Sequence, residues 1–121
     1  MKIAVTASQP NMEAEVDQRF GRCSYFLVVD PQTLEYETVE NNSASSAGGA
    51  GISTAQMIVS KGISTVLTGN CGPNAYKVLS GAGINIITGV NGKIAKAIEK
   101  YNNGSYSATK QPSVSEHFGK K

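Results

Sequence analysis

This 121-residue chain is short of three chemically versatile side chains, with one histidine, two cysteines and two arginines. The histidine, His117, lies near the carboxyl terminus, so a Ser–His–Asp triad has no well-placed base. Cys23 and Cys71 are too far apart in sequence for a Cys-x-x-Cys metal clamp, and two cysteines make no disulfide framework. The longest purely apolar run, Tyr25–Val29, is much too short to span a bilayer. A net charge of +2 is too weak to point to nucleic acid or to an acidic membrane surface. Met1-Lys2 leads straight into Ile3-Ala4-Val5 with no signal-peptide h-region. Together with the unpaired thiols, this predicts a reduced, cytoplasmic protein.

What is present predicts a folded chain. Hydrophobic residues make up 40% and charged residues 17%, and the length allows one core. A single domain is expected over residues 1–104, followed by a polar tail over 105–121. Charge is uneven: residues 1–60 carry three basic and seven acidic side chains, residues 61–121 eight and two. Both arginines, Arg19 and Arg22, lie beside Cys23.

Residues 2–7 (KIAVTA) and 25–30 (YFLVVD) read as buried strands, and 34–38 (LEYET) as a half-exposed edge strand. Asp30-Pro31-Gln32-Thr33 has type I turn chemistry, so the second and third strands form a hairpin. Residues 8–24 and the glycine-rich 41–51 are loops. Ile52, Ala55, Ile58 and Val59 recur at helical spacing. Residues 64–68 and 84–88 are strands. Between them Pro73 opens a helix with Ala75, Val78, Leu79 and Ala82 on its apolar face. Asn91 is the expected cap of a last helix that buries Ile94, Ile98 and Tyr101. The order β-β-β-α-β-α-β-α predicts an α/β fold with a five-stranded mixed sheet, strand order 3-2-1-4-5.

That topology sends four glycine-bearing loops to one edge of the sheet, the carboxyl end of the first strand. The ligand crevice is expected there, between strands one and four. Three helix amino ends supply N–H donors and partial positive charge. Arg19 and Arg22 add full charge with forked donors. Cys23 and Cys71 are the soft ligands, and the helix end beside Cys71 is expected to favour its thiolate. The N–H groups of Gly21, Gly49, Gly51, Asn70 and Gly72 would line a cradle that Ser8 and Gly69 complete, and a mobile 8–23 loop would gate it. The ligand satisfying helix ends, guanidinium groups and thiolates together is an anionic metal–sulfur cluster, with Cys71 and Cys23 as its metal ligands.

Enzyme templates fit poorly. Strands one and four lack the carboxylates of a two-metal nuclease. No Gly-x-Ser-x-Gly elbow or Walker-type phosphate loop occurs. A binding or carrier protein without turnover is therefore expected. Two other readings stay open: a thiol redox protein using Cys23 and Cys71, and a small-anion or nucleotide-binding module using the helix ends alone.

Four segments resemble a known family: Met1–Ser8 (MKIAVTAS), Val16–Phe26 (VDQRFGRCSYF), Gly48–Gly51 (GGAG) and Thr68–Ala75 (TGNCGPNA). Together they are similar to the dinitrogenase iron–molybdenum cofactor-binding family, the NifX-like group that includes the carboxy-terminal domain of NifB-type proteins. The resemblance covers residues 1–104. It implies a ribonuclease-H-like three-layer α/β/α fold and non-catalytic binding of an iron–molybdenum–sulfur cofactor, a precursor or a related cluster during cofactor biosynthesis. The implied partners are cluster donor and acceptor proteins, with neither nucleic acid nor membrane. Many relatives have Glu-His-Phe-Gly where this chain has Gln18-Arg19-Phe20-Gly21, which favours holding by charge over imidazole ligation. Ser115-Glu116-His117-Phe118-Gly119-Lys120 echoes the missing motif in the tail, where it would fold back over the site.

Overall fold

The computed structural model describes residues 2–42 and 50–109. Eight elements follow one another: β1 (Ile3–Ala7), β2 (Tyr25–Val29), β3 (Tyr36–Glu40), α1 (Ala50–Ser60), β4 (Thr65–Leu67), α2 (Pro73–Gly81), β5 (Asn85–Ile87) and α3 (Ile94–Asn102). The strands form one mixed sheet in the order β3-β2-β1-β4-β5. β1 pairs antiparallel with β2 and parallel with β4; β2–β3 is antiparallel and β4–β5 parallel. The order and directions expected from the sequence are those observed.

Every residue of β1 is buried, because the sheet is covered on both faces. Successive side chains of a strand point to opposite faces, and β2 divides accordingly. Phe26 and Val28 join α1 and α2 in one core, with Ala55, Ile58, Ala75 and Leu79. Leu27 and Val29 join α3 in the other, with Ile94, Ala97 and Ile98. The layers are therefore α/β/α. No helix among the described residues is long and apolar enough to cross a membrane.

Four details differ from expectation. The third strand starts at Tyr36, because the turn before it is longer than a type I turn. Asp30 Oδ1 accepts from the N–H groups of Gln32 (2.9 Å) and Thr33 (3.3 Å). Leu34 N–H then closes onto Asp30 O at 2.8 Å with Leu34 in the left-handed region, φ 67°. Ile52 and Val59 are on the exposed side of α1, each 37% accessible. The buried face is Ala50, Thr54, Ala55 and Ile58, because small residues make the close approach to α2. Asn91 does not cap α3. The first helical N–H groups, Ile94 and Ala95, donate instead to Ala14 O (2.9 Å) and Met12 O (3.0 Å). Residues 105–109 run back along β5, where Thr109 N–H donates to Ile86 O at 2.6 Å. The motif around His117 lies outside the described residues, as does Gly49.

Candidate functional site

Residues 8–24 form a strap across the carboxyl edge of the sheet. Asp17 N–H donates to Thr6 O (2.9 Å), Val16 N–H to Gly92 O (2.8 Å) and Phe20 N–H to Asn70 O (3.2 Å). Asn70 N–H donates back to Gln18 O (2.8 Å). The strap is thus tied to β1, to the β4–α2 turn and to the β5–α3 turn. Phe20 anchors it in the core, edge-on to Phe26 with ring centroids 5.5 Å apart. The expectation of a mobile gate is corrected. Opening this loop would break hydrogen bonds to three elements and expose a phenyl group whose burial stabilises by about 2–3 kcal/mol.

The strap also fills the expected crevice between β1 and β4. Thr6 Oγ1 donates to Asp17 O (2.6 Å) and shares a 3.0 Å hydrogen bond with Thr68 Oγ1. Gln18 Nε2 reaches Val90 O at 3.1 Å. Gly69 has no side chain because Gln18 occupies the space: an added Cβ would lie 2.7 Å from Gln18 Cα. Gly69 therefore serves the close packing of the strap. The Asn70 N–H is already bonded, and the Ser8 hydroxyl is turned to Glu15 O (3.1 Å). The Asn70 N–H and the Ser8 hydroxyl are thus engaged within the protein, and Gly69 lies against Gln18.

What does converge lies to one side of that plug, over α1 and α2. A Cβ added to Gly21 would meet Gly51 Cα at 2.9 Å, and one added to Gly51 would meet Ala75 Cβ at 3.5 Å. This stack of small residues seats the Arg19–Cys23 turn directly on the first turn of α1, and α1 against the first turn of α2. Gly72 is the α2 N-cap and Pro73 its first residue, as expected. The first turns of α1 and α2 are thus neighbours beside the Arg19–Cys23 turn. The Arg19 side chain is 61% exposed and its Nε lies 3.7 Å from Asp17 Oδ1. An exposed pair of this kind contributes little and leaves most of the guanidinium donors turned to water. Arg22 is also exposed.

Both cysteines are fully buried in the α1/α2 core, so they share one face of the sheet. The Cys23 thiol donates to Phe20 O at 3.3 Å, and Cys71 Sγ lies 3.8 Å from Gly72 O. Burial pushes each thiol from its ordinary 9.0 up to about 12. For Cys23 the Asp17 carboxylate acts in the same direction. The expected thiolate at Cys71 is therefore corrected: burial holds this thiol in its protonated form. These are not the properties of a reactive redox pair, which needs exposure and a depressed pKa. No group of three or more His, Cys, Asp and Glu side chains among the described residues is arranged to hold a metal ion.

A residue the sequence reading passed over is Asn41, just after β3 and 6% exposed. Its Nδ2 donates to Cys23 O (2.9 Å) and Gly21 O (3.2 Å), and its Oδ1 accepts from the Thr54 hydroxyl (3.1 Å). The only signal in the sequence was a polar residue ending a strand ahead of the glycine-rich segment. The cleft of about 440 Å³ between α3 and the β2–β3 turn, floored by Met12, Leu34, Ala95 and Ile98, holds none of the predicted site residues.

A family profile described as dinitrogenase iron-molybdenum cofactor matches residues 1–104. The chain belongs to this family. Its name implies association with an iron-molybdenum cofactor or a related cluster. Among solved structures, the chain is similar to the apo form of the orange protein from Desulfovibrio gigas, with a TM-score of 0.90 and 36% identity over 93% of this chain and 96% of that one. It is also similar to a protein from Thermotoga described as a putative NifB protein, with a TM-score of 0.78 and 28% identity over 93% of this chain and 98% of that one. An uncharacterized protein of Methanocaldococcus jannaschii is 29% identical over 86% of this chain and 87% of its own length.

Proposed function

We propose that this protein binds and carries, without turnover, an anionic metal–sulfur cluster on a ribonuclease-H-like scaffold in the course of cofactor assembly. The cargo is the iron–molybdenum cofactor, a precursor or a related iron- or molybdenum–sulfur species, received from a donor protein and passed to an acceptor. The observation that carries this reading is the Gly21–Gly51–Ala75 stack, which brings Arg19, Arg22 and two helix amino ends to one place. Family membership supports the class of cargo. So does the description of a relative as an apo form named for its colour, which suits a removable group that absorbs visible light.

The contacts are made by Arg19 and Arg22 and by amides near Gly21, Gly51 and Gly72. Thiol ligation is the costlier mode. At neutral pH, ionising a thiol held at about 12 opposes binding by roughly 7 kcal/mol, which a metal–sulfur bond must offset. Cys71 and Cys23 therefore stand behind the arginines as candidate ligands.

The test is anaerobic incubation with iron, molybdate and sulfide, or with tetrathiomolybdate, followed by desalting, elemental analysis and visible spectroscopy. Stoichiometric metal and charge-transfer bands are expected. Arg19→Ala and Arg22→Ala each weaken retention about tenfold, the scale of a charge-assisted hydrogen bond. Cys23→Ser and Cys71→Ser retain more than half of the parent's metal. If both arginine variants load like the parent, the assigned edge is wrong; loss confined to the cysteine variants moves the ligands to the thiols.

A further inference from the structure

The Asn41 carboxamide joins three segments that are remote in sequence. Its two N–H bonds go to the carbonyls of Gly21 and Cys23, the residues on either side of Arg22. Its oxygen is held by Thr54 in the second turn of α1. Asn41 itself is fixed to the strap's end by its own N–H, which donates to Ser24 O at 2.9 Å. The Gly21 carbonyl belongs to the peptide plane that enters Arg22 and the Cys23 carbonyl to the plane that leaves Cys23, so the two bonds clamp the Arg22–Cys23 segment at both ends and restrict the direction in which the Arg22 Cα–Cβ bond leaves the backbone.

The side chain suits that task. A carboxamide presents two donors and one acceptor on a single rigid plane; aspartate has the same shape without the donors, and leucine has neither. A buried amide at a strand end is otherwise an expensive choice, since each unmade bond exposes a desolvated polar group. We infer that Asn41 is the positioning residue that aims Arg22 into the anion site, with Thr54 locking the amide's orientation. The ligand in this inference rests on the reading given under Proposed function; the geometry of the clasp does not.

Two measurements test it. Hydrogen exchange of the ligand-free protein at pH 7.5 follows residues 18–24 in the parent and in Asn41→Asp. Exchange is expected to rise at least tenfold there while β1 and β4 keep the parent's protection. Tetrathiomolybdate titration then compares Asn41→Asp, Arg22→Ala and the double variant. Asn41→Asp binds at least tenfold more weakly than the parent, and the double variant binds within twofold of Arg22→Ala alone, because an aiming residue has nothing left to aim. A double variant weaker by the product of the two single losses overturns the inference, as does unchanged exchange over residues 18–24. If Asn41→Asp does not fold, Thr54→Val against Thr54→Ser gives the same comparison: the valine variant loses protection and affinity, and the serine variant recovers both. A parent protein that binds no tetrathiomolybdate sinks the functional reading, and the exchange data still decide the clasp.

Discussion

A single methyl group separates the two reasons for glycine in this protein. At Gly89 the backbone is left-handed, φ 77°, and an added Cβ would meet nothing within 4 Å. Alanine there is strained by about 1 kcal/mol and collides with nothing. At Gly69 the added atom would lie 2.5 Å from Gln18 Cδ and 2.7 Å from Gln18 Cα. A backbone atom cannot rotate away, so the strap must lift. Gly69→Ala is expected to cost about 1–3 kcal/mol, the range of overpacked cores, read as a lowered urea midpoint. Gly89→Ala loses less. The loop glycines were legible as a group at one edge of the sheet. Their purpose was not, because sequence does not say whether the space in front of a glycine holds ligand or protein. At Gly21 and Gly69 it holds protein.

Among the elements, the segment after α3 has the clearest consequence. It shows no apolar period, so it reads as a tail. Yet Tyr106 packs on the α3 core and Thr109 bridges two elements. The Thr109 carbonyl accepts from Tyr76 Oη on α2 (3.0 Å), and its hydroxyl meets the Thr88 N–H (3.0 Å) beyond β5. These contacts cover the free edge of β5 as an extra strand would. Urea unfolding of a chain ending after Thr109 sets the reference midpoint. One ending after Gly104 should lose about 1–3 kcal/mol, from the uncovered tyrosine and the broken hydrogen bonds. Equal midpoints for the two truncations would show that residues 105–109 add nothing to the fold. Helix and strand positions were otherwise legible from periodicity and turn chemistry. Asn91 and residues 105–109 are governed by hydrogen bonds to distant segments, which leave no pattern in the local sequence, whereas Leu34 lengthens its turn through a local bond to Asp30 O.

For the whole molecule, the two buried thiols tie stability to alkaline pH. Each has a folded-state value of about 12 against an ordinary 9.0. Below pH 9 both states carry the proton and the contribution is intact. As pH rises from 9 towards 12 only the unfolded chain ionises, and stability falls by about 1.4 kcal/mol per unit for each thiol. Between pH 8 and pH 10.5 the parent should lose about 2 kcal/mol more than Cys71→Ala, measured by urea unfolding. An identical fall in the two proteins would mean that the Cys71 thiol is not the group responsible. The overall topology was readable because two direct connections and two helical crossovers leave few right-handed arrangements. The state of the site was less so. Proximity of the cysteines to arginines and a helix end suggested ionised sulfur, whereas the depth of both thiols in the α1/α2 core decides their protonation.

With Thr6, Thr68 and Gln18 stoppering the gap between β1 and β4, a group held at this edge rests on the rim and not in an interior chamber. Handing it over then requires no door to swing. A receiving protein can press against the same rim, and the exchange becomes a relay between touching surfaces, quickened by opposite charge and slowed by salt.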